Sequence, residues 1–77
     1  MRTGYAIRMR YNADKGWLHT RTRVDDASAP VTIWGDEEGA MIFRRLKDAK
    51  AMLKVIRRDL RRPDKVNIID RNERVVV

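Results

Sequence analysis

The sharpest chemical pattern in the sequence is a row of cations at helical spacing. Lys47, Lys50, Lys54, Arg57, Arg58 and Arg61 follow one another at one-, three- and four-residue steps. On a helix they fall within roughly 100° of each other, beside an apolar stripe, and span about 21 Å of axis. Phosphates along a duplex strand recur every few ångströms, so such a ridge can touch several of them. The chemistry on offer is electrostatic: a phosphate backbone is neutralised and its counter-ions are released. The same residues also fit a solvated helix face, because Lys and Arg are good helix formers. Asp48 and Asp59 lie on the other flank of the stripe and leave the ridge of one sign.

A second basic pattern lies in the first 24 residues. Arg8 and Arg10 alternate with apolar neighbours, and after a turn Trp17, His19, Arg21 and Arg23 alternate with Leu18, Thr20, Thr22 and Val24. Folded as a hairpin, these six share one polar sheet face. Arg opposite Arg across strands is destabilising. An anion or acidic partner surface relieves it, or the acidic segment 25–38 folds back over it, or the long side chains splay into water. Trp17 and His19 can stack on bases or on Arg planes. A Trp at a strand end also packs readily on a loop. The two basic surfaces lie on opposite sides of the layer, so a single duplex does not reach both.

Little in the sequence supports catalysis. The one histidine, His19, has no carboxylate partner in its own strand, and Ser28 sits in an acidic loop without a nucleophile-elbow context. Asp25, Asp26, Asp36, Glu37 and Glu38 have the chemistry of acid–base or metal-ligating groups but read as solvated loop carboxylates. Gly4, Gly16, Gly35 and Gly39 are scattered and make no phosphate-binding motif. The expectation is a non-enzyme with no metal, no cofactor and no small-molecule substrate.

Those residues belong to a chain of 77 amino acids, 18 of them Lys or Arg and 11 Asp or Glu, with formal net charge +7. The length predicts one small basic domain over residues 1–77. A chain this short buries only roughly 60% of its unfolded surface, so its core is thin. The absence of cysteine excludes a disulfide scaffold, a thiolate metal site and a Cys nucleophile, and it fits a cytoplasmic setting. No apolar run approaches a membrane span, and the opening residues lack a secretory apolar region. The charge is blocked: residues 1–24 hold six bases and one acid, 25–43 five acids and no base, and 44–62 nine bases and two acids. Such asymmetry points to an electrostatic partner or an internal pairing.

The elements that must position these groups follow from periodicity. Residues 5–11 alternate as a half-buried strand, with Tyr5, Ile7, Met9 and Tyr11 on one face. Residues 12–16 are a turn cluster, and residues 17–24 alternate again, which predicts an antiparallel hairpin. Residues 31–34 are a candidate short strand. Residues 40–43 read either as a strand before a helix starting near Arg45, or as helix behind an Asp36 N-cap with Glu37 and Glu38 in its first turn. The first reading keeps Phe43 off the helix and is preferred. Leu46, Ala49, Leu53, Ile56 and Leu60 mark the buried stripe of a helix that Pro63 ends. Residues 66–69 and 74–77 are strands about a turn at 70–73. The predicted fold class is α+β: a small antiparallel sheet, β-β-β-α-β-β in chain order, packed on one amphipathic helix.

Two resemblances add to this reading. Tyr5-Ala-Ile-Arg8 and Phe43-Arg-Arg-Leu-Lys-Asp-Ala49, within the stretch from Tyr5 to Ile56, resemble the arm-type DNA-binding domain of tyrosine recombinases. In that family a three-stranded sheet enters a DNA groove with the helix packed behind it. The resemblance implies DNA contact by Arg8, Arg10, Arg21 and Arg23. The whole chain is also similar, in size and style, to small uncharacterised proteins of phages and mobile elements, some of which are anti-CRISPR inhibitors. The residues that carry it are Tyr5–Arg8, Trp17, Ala40–Phe43, Asp48–Lys50, Ile68–Asp70 and the final valines.

The expected function is therefore a small basic binding protein of phage or mobile-element type. It engages nucleic acid, or a nucleic-acid-bound complex, through Arg and Lys. The alternative is a protein–protein inhibitor of a host defence machine, docking on an acidic or nucleic-acid-binding surface. A membrane is not an expected partner. A homo-oligomer formed through Val75–Val77, edge to edge, is a further possibility.

Overall fold

A computed structural model describes residues 3–10, 14–23, 32–58 and 65–77. Its elements are β1 (Ala6–Met9), β2 (Trp17–Leu18), β3 (Trp34–Gly35), a 3-10 turn at Glu37–Gly39, α1 (Leu46–Arg57) and β4 (Val66–Ile69). The four strands form one antiparallel sheet in the order β3-β2-β1-β4. With one helix against that sheet the class is α+β. Among the described residues no helix is long and apolar enough to cross a membrane.

The main core follows from two periodicities meeting. Ala49, Leu53 and Ile56 form the buried stripe of α1, and Ile7, Leu18, Val66 and Ile68 are the inward residues of the strands. Tyr5, Met9, Trp34, Phe43, Leu46 and Met52 pack around their rim. Ala49 has no exposed surface, and its small side chain lets the helix approach the sheet closely. Leu60, expected in the same stripe, lies outside the described residues.

The hairpin departs from the expected one. Its ladder pairs Arg8 with Trp17, so no Arg faces Arg in it, and Asn67 flanks Arg8 on the other side. The second strand ends at Leu18 instead of running to residue 24. The chain turns at His19–Thr22, where the Thr22 N–H donates to the His19 carbonyl (3.0 Å). The His19 Nδ1 accepts the Arg21 N–H (3.2 Å), as an Asx side chain does in a turn. Thr22, 8% exposed, exchanges two hydrogen bonds through Oγ1 with the Ile33 backbone. Side-chain bonds to the backbone have replaced the ladder that period-two alternation predicted. Val24 and residues 25–31 lie outside the described residues, and the third strand is Trp34–Gly35 rather than 31–34.

The helix begins at Leu46, as preferred, and the acidic run forms its own 3-10 turn behind Asp36. Residues 40–43 are extended but make only isolated bridges, Ala40 to His19 and Phe43 to Tyr5. Tyr5 and Phe43 exchange both backbone hydrogen bonds (2.7 and 2.8 Å). Gly4 is required there, because a Cβ would collide with the Phe43 carbonyl.

At the other edge, Arg71–Glu73 make a three-residue loop with Glu73 in the left-handed region (φ 63°). The Asp70 carboxylate accepts the Asn72 and Arg74 amides (2.8 and 2.9 Å). Residues 74–77 then return along β4 through a Val75–Ile69 bridge and bonds to Ile68. The expected last strand is thus a bridged tail, and its valines are exposed, Val75 by 60%.

Candidate nucleic-acid interface

The strand alternation that sends Ile7 and Leu18 toward the helix sends Ala6, Arg8, Trp17 and His19 to the far face of the sheet. That face is not the open basic surface expected. Trp17 is only 3% exposed and forms a second buried cluster with Ala6, Ala40 and Ile69. Arg8 lies over its ring, 5.1 Å from the centroid, and reaches Glu73 at 3.9 Å. The indole is covered by its own fold and has no face left for a base to stack on.

Acid also intrudes on this side. A hollow of about 550 Å³ is lined by Glu37, Glu38, Glu73 and Arg71 over a floor including Ala40 and Ile42. His19 packs over Gly39, where a Cβ would collide with Nε2. Lys15, His19 and Arg21 share a second hollow with Asp36 and Glu38. Arg10, Arg21 and Arg23 are exposed, but Arg21 stands in the turn rather than beside Arg8 in a strand. The structure therefore does not gather the six hairpin residues into one positive surface.

The helix keeps its ridge. Lys47, Lys50, Lys54 and Arg58 are all exposed, and they form no ion pair with a described residue. At 100° per residue they occupy roughly 80° of the circumference and about 16 Å of axis. Asp48 stands on the other side of the helix. Arg57 leaves the row: half-buried, it donates from a terminal guanidinium nitrogen to the Val66 carbonyl (3.0 Å) and pins the end of α1 to the start of β4. Arg61 lies outside the described residues. Replacing Arg57 with Gln is expected to lower stability by about 1 kcal/mol, whereas Arg58→Gln changes it by less than about 0.5 kcal/mol. Chemical denaturation of the two variants measures the contrast.

Two cations that the helical spacing did not single out stand at the N-terminal end of the same helix. Arg44 and Arg45 are exposed and immediately precede α1. Arg45 is the N-cap residue and makes no side-chain capping bond. The doublet adjoins Lys47 in sequence, and that proximity was its only signal before folding.

This arrangement opposes local stability in two ways. Arg is a poor N-cap, and cations at a helix N-terminus oppose the macrodipole. Lys50 and Lys54, and Lys54 and Arg58, are like-charged pairs four residues apart, each destabilising by roughly 0.2–0.5 kcal/mol. Chemically, the surface can neutralise a string of anionic groups. Among the described residues no cluster of three or more His, Cys, Asp or Glu is placed to hold a metal ion. Comparison with protein-family models, curated proteins and solved structures finds no match to this chain.

Proposed function

We propose that this chain is a small, non-enzymatic binding protein whose α1 ridge lies along the phosphate backbone of a nucleic acid, in the cytoplasm of a cell carrying a phage or mobile element. The observation that supports this reading best is the one-signed row of Lys47, Lys50, Lys54 and Arg58 on one exposed face of α1. Its like-charged neighbours one turn apart, Lys50 with Lys54 and Lys54 with Arg58, repel each other where mixed signs would make a more stable helix. Residues that break a local rule without a gain in stability are the ones expected at functional sites. The recombinase resemblance implied a sheet-first contact. The buried Trp17 and the acids around it favour the helix instead.

The test is a titration of a labelled mixed-sequence duplex at several salt concentrations, with Lys50→Gln beside the unchanged protein. Four to five neutralised phosphates give a log–log salt slope near −4. Lys50→Gln is expected to change stability by less than about 0.5 kcal/mol while weakening binding roughly tenfold. A flat salt response would overturn the reading. Capture of an acidic host protein after nuclease treatment, in its place, would support the inhibitor alternative.

A further inference from the structure

The fold brings three segments to one end of the layer. Because β1 and β4 are antiparallel with Ala6 opposite Ile69, the residues entering β1 lie beside those leaving β4. The paired Tyr5–Phe43 backbone bonds then set Arg44 next to both. Between them is a polar cleft of about 390 Å³, lined by Thr3, Arg44, Asp70, Arg71 and Asn72 among others. Arg44 and Arg71 are exposed, and neither forms an ion pair with a described residue. Arg71 is held by a loop that Asp70 organises, since the Asp70 Oδ1 is occupied by the Asn72 and Arg74 amides.

We propose that this cleft is a phosphate-binding subsite, with the Arg44 and Arg71 guanidinium groups as its two arms. The Asp70 carboxylate on the same lining offsets one of the two guanidinium charges, and the guanidinium pair leaves the cleft a net positive charge for an oxyanion to neutralise. Their planar forks suit a tetrahedral oxyanion, which accepts several parallel hydrogen bonds. The Thr3 hydroxyl and the Asn72 side-chain amide add donors at the same rim. Arg71 also borders the hollow that holds Glu37, Glu38 and Glu73, so those acids fix the side from which an anion approaches. Arg44 leads directly into Arg45 and Lys47. The proposal rests on the nucleic-acid reading in one respect: the phosphate belongs to the same strand that lies along α1, and the cleft receives it where the strand passes the N-terminal end of the helix.

The experiment follows backbone amide shifts of the labelled protein during titration with inorganic phosphate, and then measures binding of a 12-base-pair duplex across a salt series. Both are repeated for Arg44→Gln/Arg71→Gln and for Arg71→Gln alone, after a melting curve has shown each to be folded. Phosphate is expected to shift Thr3, Arg71 and Asn72 in a saturable way, and the double variant to lose those shifts. The double variant is also expected to bind duplex roughly tenfold more weakly, with a salt slope shallower by about one unit. Saturable phosphate shifts at the cleft in a protein that ignores duplex would support the subsite and overturn the nucleic-acid reading. Duplex binding with the same slope in all three proteins, and phosphate shifts elsewhere, would overturn the subsite and leave the ridge standing.

Discussion

Trp17→Ala is expected to destabilise the protein by roughly 3–5 kcal/mol, with a fall in melting temperature on the order of 12–40 °C. The indole is the largest side chain in the second buried cluster, and three small or aliphatic neighbours, Ala6, Ala40 and Ile69, cannot close the space it leaves. Arg8 would lose its place over the ring as well, which contributes about 0.5–2 kcal/mol where the cation is partly desolvated. Small domains have only roughly 5–10 kcal/mol in total, so the variant approaches the folding threshold. Binding separates this from a recognition role. Below its melting transition the variant is expected to bind duplex with an unchanged salt slope. A stacking platform would behave in the opposite way, losing roughly 1–3 kcal/mol of affinity with its melting curve intact.

The second large effect is on binding. Reversing Lys50 and Lys54 to Glu together is expected to weaken duplex binding by about 10²-fold near 0.1 M salt and to make the salt slope shallower by about two units. The magnitude follows from two phosphates that are no longer neutralised, at a slope of about 0.9 each, with repulsion added. Folding is expected to survive, because both side chains are exposed and a Glu at 54 stands one turn before Arg58, a favourable order that offsets the Glu–Glu pair at 50 and 54. Arg21→Glu with Arg23→Glu changes net charge by the same amount and is the control. Both residues lie away from the ridge, in and just beyond the His19 turn, and their reversal is expected to change affinity less than tenfold. Equal losses from the two pairs would mean that net charge, not the ridge, drives binding.

Three elements can be read from residue types alone, and each has a strong period. Ala6–Met9 alternates, Leu46–Arg57 repeats at three and four, and Val66–Ile69 carries three β-branched apolar residues between turn signals. Residues 17–24 mislead for a definite reason. Their Thr-rich alternation satisfies a strand pattern, but the His19 Nδ1 and Thr22 Oγ1 supply backbone partners that bend the chain after Leu18. Periodicity is blind to such local competition. The extended 40–43 segment is legible as extended but not as a bridge to two different strands, since its partners are non-local.

The candidate site divides in the same way. Lys47, Lys50, Lys54 and Arg58 share a helix face by arithmetic that needs no tertiary structure. Arg57 stands at the edge of the same arc, and only the position of Val66 shows that it belongs to the packing. The depth of Trp17 depends on Ala40 and Ile69, which are distant in sequence. Arg44 and Arg71 are 27 positions apart and line one cleft only because β1 pairs with β4 while Phe43 pairs with Tyr5. No spacing rule joins them.

The most direct test of the central claim, that α1 carries the nucleic-acid interface, is an amide-shift footprint of the full chain with a short mixed-sequence duplex at low salt. Shifts are expected on the exposed positions from Arg44 to Arg58, fading together as salt rises, with Trp17 and the His19–Arg23 turn undisturbed. Shifts confined to that turn, or none on α1 at any salt concentration, would contradict it.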